Sequence, residues 1–128
     1  MTLNEMAAIV VDVAYWIHKT YGPGLLESAY EAIMEHLLTQ RGLVVERQVA
    51  IPLVVKGVPL NETAYKADLI INDRLIIELK SVSELHNMHK KQLLTYLRLA
   101  DKRLGLLINF GASLLKNNIE RIVNGELD

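Results

Sequence analysis

The chain contains no cysteine. Disulfides and thiolate metal sites are therefore excluded, and a reducing cytoplasm fits this composition. It also lacks any apolar run approaching the roughly 18 residues that a membrane-crossing helix needs. The opening residues, MTLNEMAAIVVDVAYWIHKT, have no basic start and include Asp12, which argues against a signal peptide. An excess of one charge is missing too: 14 Lys and Arg stand against 15 Asp and Glu. That balance removes any global electrostatic case for nucleic-acid binding, so any such case must be local. Internal repeats, linkers and low-complexity segments are absent. What is present is 128 residues, 51% of them hydrophobic, which suits a single domain over residues 1–128 with a real core.

Apolar spacing predicts a helix over residues 3–19, with Met6, Ile9, Val10, Val13 and Ile17 inward and Thr2 or Asn4 as cap. TYGPG (20–24) breaks it, and a second helix follows over 25–40 with Leu26, Ala29, Tyr30, Ile33, Met34 and Leu37 inward. The period then changes. VVERQVAIPLVV (44–55) is rich in β-branched residues, KG (56–57) is a turn, and a second strand runs on toward residue 71 with NET as an interruption. Pro52 places its strand at an edge or at a bulge. DRLIIELK returns as a third strand, residues 86–101 as a helix, and KRLGLLINF (102–110) as a buried strand. SLLKNNIERIVNG is expected to close the chain as a short helix capped by Ser113. The predicted order is α-α-β-β-β-α-β-α, an α/β (α+β) fold with a mixed four-stranded sheet flanked by helices.

One stretch carries the chemistry. In KADLIINDRLIIELK (66–80), two carboxylates and an ammonium sit among isoleucines and leucines. If NDR is a three-residue hairpin loop, Ile71 faces Leu75, Ile70 faces Ile76, Asp68 faces Glu78 and Lys66 faces Lys80. All these even-numbered partners beyond the loop-closing pair then share one face, and the odd face is wholly apolar. Opposed carboxylates repel, and burial adds a desolvation cost. A divalent cation reverses the sign, and hard ions such as Mg²⁺ favour oxygen donors. Lys80, on the same face, would sit near a metal-bound water or a charged phosphate. The plainer alternative is an ion cluster of Asp68 with Lys80 or Lys66. A two-residue loop would also shift the register and move Asp68 opposite Ile77 or Leu79.

Companion residues lie on other elements. Glu27 opens the second helix and shares a face with Tyr30 and Met34. An acid there is equally explained by the helix dipole, and Tyr30 by the core. Gln92 and Tyr96 lie four apart on the third helix and could hold a phosphate or water, or be a solvated amide and a half-buried ring. His86 and His89 read as surface histidines. Lys90, Lys91, Arg98, Lys102 and Arg103 form the one basic cluster, able to track a phosphate backbone or simply to be a solvated helix face.

GLLESAY (24–30) has the form GxxExxY, and YKADLII, IIELK, QLLTYLRL and GLLINFG follow it in order. From about Tyr15 to Val123 the chain resembles the GxxExxY family, a small bacterial and archaeal group placed in the PD-(D/E)XK nuclease-like superfamily. The resemblance implies a restriction-endonuclease-like core and a metal-dependent nuclease acting on DNA before RNA. It implies Mg²⁺ or Mn²⁺ held by Asp68 and Glu78, with the Leu79 carbonyl as an extra ligand, and Lys80 assisting the attacking water. Glu27 would complete the site through a metal-linked water or a second ion. Gln92 and Tyr96 match the Gln-xxx-Tyr pair of the RecB-like branch. Ala67 stands where the superfamily's name has proline. Lys90, Lys91 and Arg98 would meet the nucleic acid. A catalytically inactive module of the same fold, serving a larger repair or defence assembly, is the competing expectation. The small size and near-neutral charge imply that specificity comes from a partner protein or from self-association.

Overall fold

The computed structural model describes all 128 residues. Helix α1 (Leu3–Tyr21) starts where Thr2 and Glu5 cap each other reciprocally: the Thr2 hydroxyl accepts the Glu5 N–H at 3.1 Å, and the Glu5 carboxylate accepts the Thr2 N–H at 3.1 Å. Helix α2 spans Glu27–Gln40, after the YGPG break, and has no side-chain cap. Strands β1 (Val45–Val55), β2 (Val58–Ile71) and β3 (Leu75–Lys80) lead into α3 (Asn87–Ala100), then β4 (Leu104–Asn109) and β5 (Ile119–Val123).

The five strands form one sheet in the order β1-β2-β3-β4-β5. Every pair is antiparallel except β3–β4, whose parallel pairing requires the α3 crossover. Helices α1 and α2 cover one face, packing on Leu69, Ile71, Leu75, Ile77 and Leu79. Helix α3 covers the other with Leu93 and Leu97 against Ile70, Ile76 and Leu107. Gly105 lets α3 approach closely, since a Cβ there would lie 3.0 Å from Leu93. Pro52 sits on edge strand β1, beside a register shift, and Asn61 in NET takes a left-handed φ of 57° at the matching irregularity in β2.

Two expectations are corrected together. Residues 113–125 do not form a closing helix, and the sheet has five strands, not four. Asn117 turns left-handed (φ 66°), and Ile119–Val123 returns along β4 with Ile108 opposite Ile119 and Leu104 opposite Val123. The apolar spacing there fits a helix as well as a short strand. The open edge of β4 decides for the strand by offering backbone partners that a helix would leave unpaired.

The β2–β3 hairpin has the three-residue NDR loop, with Asn72 and Asp73 left-handed and Ile71 opposite Leu75. Its ladder continues through Leu69–Ile77 and stops there. Lys66 accordingly does not face Lys80: it is exposed and pairs across β1 with Ala50. The alternation of faces also breaks, because Ala67 packs on the α3 side although Leu69 lies on the α1–α2 side. Asp68 occupies the point where the two strands part.

Candidate active site

Asp68 uses its carboxylate where a strand would use a carbonyl. The Leu79 N–H of β3 donates to Asp68 Oδ2 at 2.8 Å. The carboxylate is thereby aimed into the gap between the strands, toward Glu78. Glu78 is only 8% exposed, and its Oε1 is buried without a hydrogen-bond partner. Burial, and then the neighbouring Asp68 charge, push the Glu78 carboxyl from the usual 4.5 up to about 9. Burial and the charge of Glu31 raise Asp68 as well. At neutral pH the pair therefore shares a proton held on Glu78, as two adjacent carboxylates in a dry site must.

Lys80 ends β3, and its charge acts on Glu78, Glu27 and His89. The segment after it is fixed from β4. Asn109, fully buried, accepts the Val82 N–H (3.0 Å) and donates to the Val82 carbonyl (2.9 Å). At Gly111 a Cβ would lie 2.5 Å from the Val82 nitrogen, so only glycine lets the two segments touch. This explains why GLLINFG carries both an asparagine and a glycine after an apolar run.

Glu27 is exposed at the start of α2, yet nearby protein and the Asp68 charge raise its carboxyl, while Lys80 opposes them. Three residues on, Tyr30 latches the loop that launches this helix. Its hydroxyl donates to the Gly22 carbonyl and accepts the Leu25 N–H, and its ring stacks on Phe110 with centroids 4.4 Å apart. The tyrosine of the GxxExxY pattern is thus a core aromatic whose polar tip sets where Glu27 stands.

On α3, Tyr96 stacks on Tyr65 with centroids 3.7 Å apart, and burial and the charge of Glu78 raise both phenols. Tyr96 thus borders the carboxylate pair. Gln92 lies exposed one turn earlier. His89 is half-buried rather than a free surface ring: its Nδ1 accepts the His86 N–H at 3.2 Å, and burial and Lys80 lower it. The basic cluster is largely self-neutralised. Lys90 pairs with Glu120 (3.2 Å), Lys102 with Asp73 (3.1 Å) and Arg103 with Asp101, which leaves Lys91 and Arg98 exposed and free of ion pairs.

Two site neighbours were not predicted. Glu31, 4% exposed on α2, takes Arg47 Nε at 2.8 Å. Gln48 bridges Glu31 and Asp68. Gln48 falls opposite Asp68 between the register pairs Arg47–Leu69 and Val49–Ala67, a placement that no sequence motif announces.

The donor set suits a hard divalent cation. It is all oxygen, two of its carboxylates are adjacent, and the buried Oε1 of Glu78 has no other partner. No three His, Cys, Asp or Glu side chains are placed to ligate a single ion, so side-chain ligation rests on the Asp68–Glu78 pair. No helix is long and apolar enough to cross a membrane.

A mixed sheet with helices on both faces and a D…ExK set at a strand parting defines a restriction-endonuclease-like protein. Residues 4–122 match the family model of the PD-(D/E)XK nuclease superfamily, and the chain belongs to that superfamily. Comparison with curated proteins and with solved structures gave no match.

Proposed function

We propose that this protein is a divalent-metal-dependent nuclease of GxxExxY type that hydrolyses phosphodiester bonds of DNA. The observation carrying this reading is the buried, unpartnered Oε1 of Glu78 beside a second carboxylate that a backbone N–H aims at it. A protein with no use for the pair would gain by replacing one acid with an apolar residue, because burying unpaired carboxylates costs stability.

Asp68 and Glu78 would hold Mg²⁺ or Mn²⁺, with the Leu79 carbonyl and waters completing the shell. When bound, the ion supplies Lewis-acid polarisation of the phosphate and a more acidic water. Lys80 would stabilise negative charge on the phosphate and help orient the attacking water. Glu27 would hold a metal-linked water or a second ion. Tyr96, at the border of the pair, donates to a phosphate oxygen, and Gln92 does so from the exposed turn above it. Lys91 and Arg98 track the backbone of the bound strand, and a partner protein or a second copy supplies specificity.

The test is a panel of labelled DNA and RNA substrates with Mg²⁺, Mn²⁺ or EDTA. Asp68→Ala and Lys80→Ala are expected to lose at least about 10³-fold in cleavage rate while keeping cooperative unfolding. Cleavage by Asp68→Ala at the wild-type rate in Mg²⁺ would overturn the assignment. A second reading, a non-catalytic binding module, is favoured by the absence of a third side-chain ligand. It predicts neither Mn²⁺-dependent stabilisation nor cleavage of any substrate.

A further inference from the structure

Gln48 is a conspicuous residue of the edge strand. It lies inside β1, between the register pairs Arg47–Leu69 and Val49–Ala67, yet its φ is 53°. A non-glycine residue in left-handed conformation within a strand is strained, and strain of this kind persists only where the surroundings enforce it. Packing does not enforce it here, because Gln48 is exposed. Its side-chain contacts do. Nε2 lies 2.9 and 3.0 Å from the two oxygens of Glu31 and 3.3 Å from Asp68 Oδ1. The amide orientation follows from chemistry, since the flipped group would set a carbonyl oxygen against three carboxylate oxygens.

We infer that Gln48 is a positioning residue for Asp68, held in its strained conformation so that one amide ties the carboxylate to a buried anchor. The anchor is Glu31, fixed by Arg47 Nε at 2.8 Å, while Arg47 Nη2 reaches the Ser28 carbonyl at 3.2 Å. Asp68 is then gripped at both oxygens, Oδ1 by Gln48 and Oδ2 by the Leu79 N–H at 2.8 Å. Two points of attachment fix the plane of the carboxylate, and a ligand fixed in its plane loses less freedom when it binds an ion. The same anchor ties α2 to β1, one turn along from Glu27. The catalytic consequence rests on the nuclease reading; the grip on Asp68 does not.

Two measurements separate these. In the metal-free protein, the Gln48 side-chain amide should show a shifted proton with slowed exchange by NMR, and Asp68→Asn should move that signal. A Gln48 amide with free-amide shifts, indifferent to Asp68→Asn, overturns the inference. Gln48→Gly accepts the left-handed φ and removes only the side chain. It should melt within a few degrees of wild type, bind Mn²⁺ about tenfold more weakly, and lose about 10- to 100-fold in kcat with KM unchanged. Wild-type Mn²⁺ affinity and kcat in Gln48→Gly also overturn it. If the wild-type protein neither binds Mn²⁺ nor cleaves, or if Gln48→Gly fails to fold, the amide experiment alone decides. A failure of wild type on both counts refutes the nuclease reading without touching the grip.

Discussion

Glu31 and Glu78 are the two buried carboxylates of the molecule, at 4% and 8% exposure, and the chain treats them oppositely. In the seam between α2 and β1, Glu31 meets an arginine and a glutamine, and both its oxygens are satisfied. At the parting of β2 and β3, Glu78 meets another acid, and one of its oxygens has no partner. The chain can thus supply a guanidinium and an amide to a buried carboxylate a short distance away, and supplies neither to Glu78. The seam satisfies its buried acid, and the parting leaves one oxygen of its acid without a partner. They are joined by Gln48, which touches Glu31 on one side and Asp68 on the other.

In the metal-free protein the largest loss of stability comes from breaking the satisfied pair. Arg47→Ala leaves Glu31 buried with only an amide for company, and should cost about 2 kcal/mol by urea unfolding. The figure is below that of a fully buried pair because the Arg47 side chain is 34% exposed. A loss under a few tenths of a kcal/mol would mean that solvent reaches Glu31, and the contrast would fail.

At the parting, the same kind of change should have the opposite sign. Glu78→Gln removes a group that must either stay protonated or carry an uncompensated buried charge. In EDTA at pH 7 it should raise stability, by on the order of 1–2 kcal/mol. On the metal-dependent reading, millimolar Mn²⁺ should stabilise the wild type, by about 2.7 kcal/mol at a hundred times its Kd, and Glu78→Gln should abolish that gain. The pH dependence follows from the raised carboxyl. Below about 4.5 Glu78 is protonated in both folded and unfolded chains and contributes no difference. Between about 4.5 and about 9 the folded protein keeps a proton that the unfolded chain has released, so stability falls as pH rises. Asp68 and Glu27, also raised, act in the same direction. Metal binding must displace the shared proton, so Mn²⁺ affinity should climb across this window with proton release. A flat metal-free profile from pH 5 to 9 in the wild type, or a slope that Glu78→Gln leaves undiminished, would sink this account.

The parting was more legible in the sequence than the seam. NDR has the length and residues of a hairpin loop, and apolar alternation on both sides pins the register, so Asp68 and Glu78 could be brought together from pattern alone. Where the ladder stops could not be read. The left-handed turn of Gln48 on the neighbouring strand could not be read either, because nothing in ERQV marks it. Glu31 was invisible for a related reason. Its partner Arg47 is sixteen residues away on another element, and an acid on a helix face looks solvated until that element is placed. Strand β5 was missed because five residues of mixed polarity carry too short a period to tell strand from helix.

The smallest predicted effect concerns the basic cluster, where structure divides residues that composition had grouped. Lys90 spends its ammonium on Glu120, while Lys91 and Arg98 face solvent unpaired. If the exposed pair meets a phosphate backbone, Lys91→Ala and Arg98→Ala should each reduce the slope of log affinity against log salt by about one, for a duplex bound in Ca²⁺ to suppress cleavage. Lys90→Ala should leave that slope nearly unchanged, because its charge is already compensated across the α3–β5 contact. Equal losses for all three would show that Lys90 exchanges Glu120 for phosphate on binding. No loss for any would move the nucleic-acid path off α3 altogether, leaving the acid pair to be approached from the α2 side.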